Sequence, residues 1–140
     1  MAQQATWDNS PYFNPARFAC RCKQCDDNIA ISHIRGKEVM ADRLIEELHK
    51  LRLRYGHPIY VTSGYRCISH PIEACKERPG SHNRGVSVDV AVEYDKLYWF
   101  LKYVFQSGQF RRIGISTSFI HLQLLDDIQY KDRIWVYHKM

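Results

Sequence analysis

The sequence predicts an α+β fold, with a small antiparallel sheet and helices packed mainly on one side, in a single domain over residues 1–140. Three observations support this prediction. A helical stripe of apolar residues precedes residue 56, a strictly alternating stretch covers 86–92, and a second helical stripe near residue 100 precedes two short strand-like stretches. The close spacing of these later strands favours antiparallel pairing, which is typical of α+β domains.

The first half of the chain contains one clear helix. Residues 1–35 are predicted to be irregular, including an N-terminal segment over 1–17, because turn-forming residues interrupt them. An amphipathic helix then ends before Gly56, since apolar residues recur at helical spacing: Met40, Leu44, Leu48, Leu51 and Tyr55. β-Branched and aromatic residues predict a strand at 59–63, and the long stretch 64–81 is predicted to be a functional or mobile loop.

The second half alternates between strands and a helix. Residues 86–92 alternate valine with other residues and predict a half-buried strand. A helix follows and closes near Gly108, with an apolar stripe formed by Leu97, Phe100, Leu101, Val104 and Phe105. Strands are predicted at 112–115 and 119–124, joined by a Ser/Thr turn, with a last strand at 134–137.

The composition is that of an ordinary globular protein. Hydrophobic residues make up 45% of the chain and charged residues 25%, which argues against disorder. No secretory leader pattern opens the sequence, and no apolar run approaches the roughly 20 residues that cross a bilayer. We therefore expect a protein made in the cytoplasm, without a signal peptide or membrane span. We also expect it to be a monomer. The net charge is +5, but the basic residues are scattered and no nucleic-acid motif accompanies them, so a nucleic-acid partner is not expected.

Asp89 is an acidic residue in the middle of a valine-rich strand. A carboxylate there is costly unless it is paired, hydrogen-bonded or metal-bound. Because side chains alternate along a strand, Asp89 shares its face with Ser87 and Ala91, opposite the valines. The valines are expected to face the core, and Asp89 a cleft or solvent.

Two histidines are placed to meet Asp89. His121 and Gln123 project from the face of their strand opposite its aliphatic residues, and His82 follows a Pro-Gly-Ser turn shortly before the Asp89 strand. Taken singly, each residue also fits an ordinary core or surface position. Together, two imidazoles and one carboxylate leave a fourth tetrahedral position for water, which is typical of a catalytic rather than a structural zinc ion.

Three motifs surround these residues in a fixed order. They are Ser63-Gly64-Tyr65-Arg66, His82-x-x-Gly85-x-x-x-Asp89, and Gly114 followed by Phe119-Ile120-His121. Over roughly residues 18 to 124, they resemble the signature of the M15 peptidases. That family contains the zinc D-Ala-D-Ala carboxypeptidases and related cell-wall endopeptidases.

The resemblance implies roles for individual residues. His82, Asp89 and His121 would bind one zinc ion, and the expected substrate-binding residues are Arg66, Ser63, Tyr65 and Ser81. Arg66 would hold an anionic part of a peptidoglycan peptide, because its planar fork can bond both oxygens of a carboxylate. A structural salt bridge is the alternative for Arg66.

The general base that a zinc-bound water requires is not assigned by the sequence. M15 relatives carry a carboxylate three residues before or two residues after the last zinc histidine, where this chain has Ser118 and Gln123. Gln123 is expected to orient the site through a hydrogen bond. Glu93 would lie about 13 Å along the strand from Asp89. Asp126 and Asp127 would have to fold back, and His70 is a base candidate of a different type.

Five cysteines are an odd number for a disulfide framework. Cys20, Cys22 and Cys25 could hold a second, structural zinc ion, with His33 or Cys75 as the fourth ligand. Some M15 relatives carry a similar Phe-x-Cys-x-Cys stretch. A disulfide between Cys67 and Cys75 in an oxidising compartment, or free buried thiols, are the alternatives.

The resemblance implies a zinc metallopeptidase that hydrolyses peptidoglycan stem peptides beside a D-Ala residue. It would be a D-Ala-D-Ala carboxypeptidase or an endolysin-like endopeptidase. A stand-alone domain without a signal resembles phage-encoded members, which act on the cell wall once released, during lysis or wall penetration. The alternative is a non-catalytic zinc-binding module of the same fold that binds a peptide or protein partner, an interpretation that Ser118 and Gln123 favour.

Overall fold

A computed structural model describes residues 2–125 and 131–137. Its α-helices are α1 (Gln4–Asp8), α2 (Lys23–Asp26), α3 (Ile29–Val39), α4 (Asp42–Tyr55), α5 (Pro71–Ala74) and α6 (Leu97–Ser107). Short 3₁₀ helices cover Pro15–Phe18 and Tyr94–Lys96. The strands are β1 (Tyr60–Ser63), β2 (Ser87–Ala91), β3 (Phe110–Ile115), β4 (Ile120–Leu124) and β5 (Arg133–Val136). No helix in these ranges is both long and apolar enough to span a membrane.

The strands form one sheet in the order β1-β2-β4-β3-β5, and the predicted α+β class is confirmed. The pairs β1–β2, β2–β4 and β3–β4 are antiparallel, as predicted. The last strand differs, because β5 pairs with β3 in parallel and makes the sheet mixed. Its chain direction is opposite to that of β4, and it occupies the free edge of β3. Hydrophobic alternation marks a strand but does not identify its partner.

The core lies between α4, α6 and the aliphatic face of the sheet. Leu44, Leu48 and Leu51 of α4 are almost fully buried, and the helix ends at Gly56 in the left-handed conformation, with φ 81°. Val88 and Val90 of β2 belong to the same buried cluster, as predicted. Asp89 and its polar neighbours lie on the opposite face of the sheet, away from this core.

The N-terminal third is more regular than predicted. The prediction of irregular structure is wrong for most of residues 1–35, because α1, α2, most of α3 and a 3₁₀ helix lie within it. α1 and α2 are too short to show a period, and the buried residues of the longer α3 are Ser32 and Gly36, so α3 lacks an apolar stripe. Tertiary contacts hold them instead: the Trp7 and Phe18 rings pack edge to face at 5.2 Å, and Thr6 Oγ1 donates to Asp42 Oδ1 at 2.8 Å.

The stretch 64–81, predicted as a loop, contains α5 and is tied down internally. The buried Glu73 carboxylate accepts hydrogen bonds from Gly80 N at 2.8 Å and from Lys76 Nζ at 2.7 Å. Asn83 Nδ2 donates to the Arg66 carbonyl oxygen at 2.9 Å and joins the two ends of the stretch. These bonds fix the turn that leads into His82.

Gly85 sets the start of β2. Its φ is 74°, and a Cβ atom at this position would lie 2.2 Å from the Val39 carbonyl oxygen. Only glycine fits this turn without strain. Since Asp89 follows four residues later, the turn helps to fix where Asp89 lies in the sheet.

Candidate metal centre

Strand register brings Asp89 and His121 together. The two residues are directly opposite one another in the antiparallel β2–β4 pair, so their side chains project from the same face. Asp89 is 4% exposed and His121 6%. His121 Nδ1 lies 2.9 Å from Asp89 Oδ1.

His82 reaches the same carboxylate oxygen from the turn before β2. Its Nε2 lies 3.3 Å from Asp89 Oδ1, and its Nδ1 lies 2.7 Å from the Gly64 carbonyl oxygen. A carbonyl oxygen only accepts, so His82 Nδ1 carries the proton in that bond. The lone pair of the neutral ring is then on Nε2, directed at Asp89.

The donor set fits a zinc ion. His82, Asp89 and His121 each offer one ligand atom, and these three atoms lie within 4.8 Å of one another. Without a metal, both ring nitrogens of each histidine face oxygen atoms. A cation among His82 Nε2, Asp89 Oδ1 and His121 Nδ1 would turn these contacts into metal–ligand bonds and leave the outer hydrogen bonds intact.

Gln123 supplies the outer hydrogen bond for His121. Its Oε1 lies 2.9 Å from His121 Nε2, and its side chain is buried. An amide oxygen accepting from Nε2–H leaves the lone pair of His121 on Nδ1, the nitrogen that faces Asp89. The orienting role of Gln123 stays a prediction.

Electrostatics favour the ligand-competent protonation states. Burial alone would raise the pKa of Asp89, but the adjacent His121 and His82 side chains outweigh it and hold the pKa well below its usual range. Burial lowers the pKa of His82, and the adjacent Asp89 carboxylate offsets only part of this effect. An ionised carboxylate and a neutral imidazole are the forms that bind metals.

Arg66 contacts the metal group rather than open solvent. Its Nη2 lies 3.2 Å from Asp89 Oδ2, and its side chain is 16% exposed. This contact is the structural salt bridge that the sequence left as an alternative. Arg66 Nε is buried and has no hydrogen-bond partner.

The other expected substrate-binding residues lie in different surroundings. Ser63 is opposite Asp89 in the β1–β2 register and half-buried. Ser81 Oγ accepts a hydrogen bond from Ser87 Oγ at 2.8 Å, on the sheet face that carries Asp89. Tyr65 packs against a cluster of buried cysteines, and burial raises the pKa of its phenol.

The structure brings no second carboxylate to the metal group in the part of the chain that it describes. Ser118 is exposed in the β3–β4 turn, and Glu93 pairs with Lys96 at 2.8 Å. Asp126 and Asp127 lie outside the described residues. His70 Nδ1 accepts from Ile72 N at 3.1 Å, which leaves a donor at Nε2 in the neutral ring. Burial, aided by the charge of Arg66, lowers the pKa of His70.

Two aromatic residues beside the centre were missed by sequence reasoning. The Trp135 ring lies 5.5 Å from that of His121, and Tyr137 packs against Trp135. A Cβ atom on Gly114 would lie 2.7 Å from each of these two rings. Gly114, already noted as a motif residue, was therefore the one signal that a large group packs there.

A cationic cleft of about 460 Å³ is lined on one side by Gln123, whose side chain also contacts His121. Its lining includes four basic side chains and one acidic side chain, Lys76, Arg78, Arg84, Arg112 and Glu77. Ser81 also lines it. This charge balance suits an anionic group near the metal-binding residues.

Four of the five cysteines form a cluster separate from the His-Asp-His group. Cys67 joins Cys20, Cys22 and Cys25 in one buried cluster, and all five thiols are unpaired. The Cys67–Cys75 disulfide is therefore not formed. The prediction of His33 or Cys75 as fourth member of the cluster is wrong, since Cys75 is exposed and its thiol donates to the Ile72 carbonyl oxygen.

The buried His-Asp-His group, whose two histidines also contact outer hydrogen-bond partners, could hold a single metal ion. Residues 11–123 match the family model described as Peptidase M15. Since the match covers well over half of the chain, the protein belongs to the M15 peptidase family, which confirms the resemblance noted in the motifs. The family is zinc-dependent in general. Comparisons with curated proteins and with solved structures found no match.

Proposed function

We propose that this protein is a zinc peptidase that hydrolyses peptidoglycan stem peptides beside a D-Ala residue, as a D-Ala-D-Ala carboxypeptidase or an endolysin-like endopeptidase. The observation that carries the proposal is the buried group of His82, Asp89 and His121 in a chain of the M15 family. Three protein ligands leave one position open for water or substrate.

Each proposed ligand is held by a second contact. The Gly64 carbonyl oxygen orients His82, Gln123 orients His121, and Arg66 holds the second oxygen of Asp89. A bound zinc ion supplies a water of lowered pKa, about 7, and polarises the scissile carbonyl. The contacts around the ligands reduce the reorganisation that metal binding and catalysis require.

Substrate recognition would use the positive charge around the centre. Gln123 and Ser81 line the cationic cleft, and Arg66 contacts Asp89 while its buried Nε has no partner. A stem peptide carries carboxylates, and charge-assisted hydrogen bonds from arginine suit them. Ser63 is the remaining polar candidate beside Asp89, whereas Tyr65 is committed to packing.

Proton transfer is assigned to His70 as the working hypothesis. Burial lowers the pKa of His70, and the charges of Arg66 and His82 add to this effect. Its Nδ1 must release the amide of Ile72 before that nitrogen can accept a proton. The lowered pKa of His70 makes it neutral at neutral pH, which is the form that a base requires. Gln123 cannot ionise and has no part in this step.

The test is hydrolysis of a peptide ending in D-Ala-D-Ala and of purified peptidoglycan, with zinc content measured on the same samples. His121→Ala should lose both zinc from this centre and cleavage. His57→Ala, at an exposed position outside the centre, is the matched control and should keep both. Cleavage that persists in His121→Ala would refute the proposed site.

The second candidate function is a non-catalytic zinc module that binds a peptide or protein partner. It is favoured by one observation, the absence of a carboxylate base beside the centre among the described residues. Zinc that is lost in His121→Ala, together with no cleavage of either substrate by the original protein, would support this candidate and exclude the peptidase. Action on the cell wall after release, in phage lysis or wall penetration, belongs to the peptidase proposal alone.

A further inference from the structure

The cysteine cluster joins two segments far apart in the chain. Cys20, Cys22 and Cys25 come from the stretch around α2, and Cys67 lies 42 residues beyond Cys25. The Sγ atom of Cys67 is 3.6 Å from the Sγ atom of each of the other three. All four side chains are at most 8% exposed.

These distances match a tetrahedral zinc site. With zinc–sulfur bonds of about 2.3 Å, neighbouring sulfurs of a tetrahedron lie about 3.8 Å apart. A disulfide would bring one pair to about 2.05 Å, and no pair among these four cysteines is joined. Two disulfides would divide the four cysteines into two separate pairs, whereas the Cys67 thiol is equally near all three others. All four Sγ atoms lie within 4.8 Å of one another, which is close enough for them to share one metal ion.

Surrounding hydrogen bonds support thiolate ligands. The backbone N–H of Cys67 donates to Cys20 Sγ at 3.4 Å, and such N–H donors stabilise a charged sulfur. Ser32 Oγ donates to the Cys20 carbonyl oxygen at 2.7 Å and fixes the backbone of the first ligand. Tyr65 packs on the cluster and helps to keep water away.

We propose that Cys20, Cys22, Cys25 and Cys67 bind one structural zinc ion, separate from the His-Asp-His centre. Four thiolates complete the coordination and leave no position for substrate, so this ion would stabilise the fold rather than react. Its main effect would be local. Cys67 directly follows Arg66, which contacts Asp89 at 3.2 Å, so the cluster anchors the segment that holds a catalytic-site ligand.

Zinc content and cobalt spectra test the proposal. Purified protein should contain two zinc ions per chain, and His121→Ala should keep one. After cobalt substitution, His121→Ala should still show the intense near-ultraviolet thiolate-to-cobalt absorption of a tetrahedral four-sulfur site. Cys67→Ser should lose one zinc ion and that absorption, whereas Cys75→Ser, at the exposed cysteine outside the cluster, should keep both.

The outcome does not depend on peptidase activity. If Cys67→Ser does not fold, the folded His121→Ala protein still decides the question through its metal content and cobalt spectrum. A His121→Ala protein that binds no metal would overturn the proposal. So would intact mass under non-reducing conditions showing disulfides among these four cysteines in folded protein.

Discussion

Replacing Gln123 with alanine removes the hydrogen bond that orients His121. The Gln123 Oε1 to His121 Nε2 distance is 2.9 Å and Gln123 is 5% exposed, so the freed N–H would stay buried without an acceptor. Such a loss costs about 1–3 kcal/mol. At 1.4 kcal/mol for each factor of ten, zinc should bind about 5- to 150-fold more weakly. This range brackets the 10- to 100-fold typical of outer-sphere substitutions.

Competition titration against a chromophoric chelator measures this affinity. The binding phase that disappears in His121→Ala is assigned to the His-Asp-His centre, which separates it from any zinc held by the cysteines. Gln106→Ala, on the exposed side of α6, is the matched control and should bind zinc like the original protein. Gln123→Glu keeps an acceptor at the same position and should bind zinc at least as tightly. Unchanged affinity in Gln123→Ala would refute the orienting role.

Three further changes test other parts of the structure. Leu48→Ala opens a cavity at a fully buried position and should lower the free energy of unfolding by about 2–5 kcal/mol in urea titrations, whereas exposed Leu53→Ala should change it little. Glu73→Gln should destabilise by about 1 kcal/mol at pH 7. The hydrogen bonds from Lys76 and Gly80 outweigh burial and lower the pKa of Glu73. The ionised Glu73 carboxylate therefore stabilises the fold above the unfolded-state pKa of about 4.3, and this stabilisation is lost as pH falls through the lower pKa of the folded state. The free energies of unfolding of the original protein and of Glu73→Gln should therefore converge in acid. A difference in unfolding free energy that stays constant with pH would contradict this. Gly114→Ala should displace the Trp135 ring and cost about 1–3 kcal/mol, with a change in tryptophan fluorescence; an unchanged spectrum and stability would contradict the packing beside His121.

Local patterns account for the elements that the sequence predicted well. The stripe of α4 and the alternation of β2 depend on neighbours within a few residues, so both are visible in the chain itself. Alternation also separated Asp89 from the valines. What alternation could not provide was register, and the exact pairing of Asp89 with His121 is what brings their side chains to 2.9 Å.

Long-range contacts explain what the sequence did not reveal. The parallel docking of β5, and with it the position of Trp135 beside His121, depends on the free edge of β3. Cys67 meets a cysteine 42 residues away, a separation at which spacing carries no information. Polar partners of the metal group are also set by the fold, as with the Gly64 carbonyl oxygen and His82.

The zinc content of folded protein, with and without His121, tests the metal centre most directly. Element analysis of the purified chain beside His121→Ala should show one zinc ion fewer in the variant, with circular dichroism confirming that both are folded. Equal zinc content in the two proteins would contradict the assignment of His82, Asp89 and His121 as the metal-binding group.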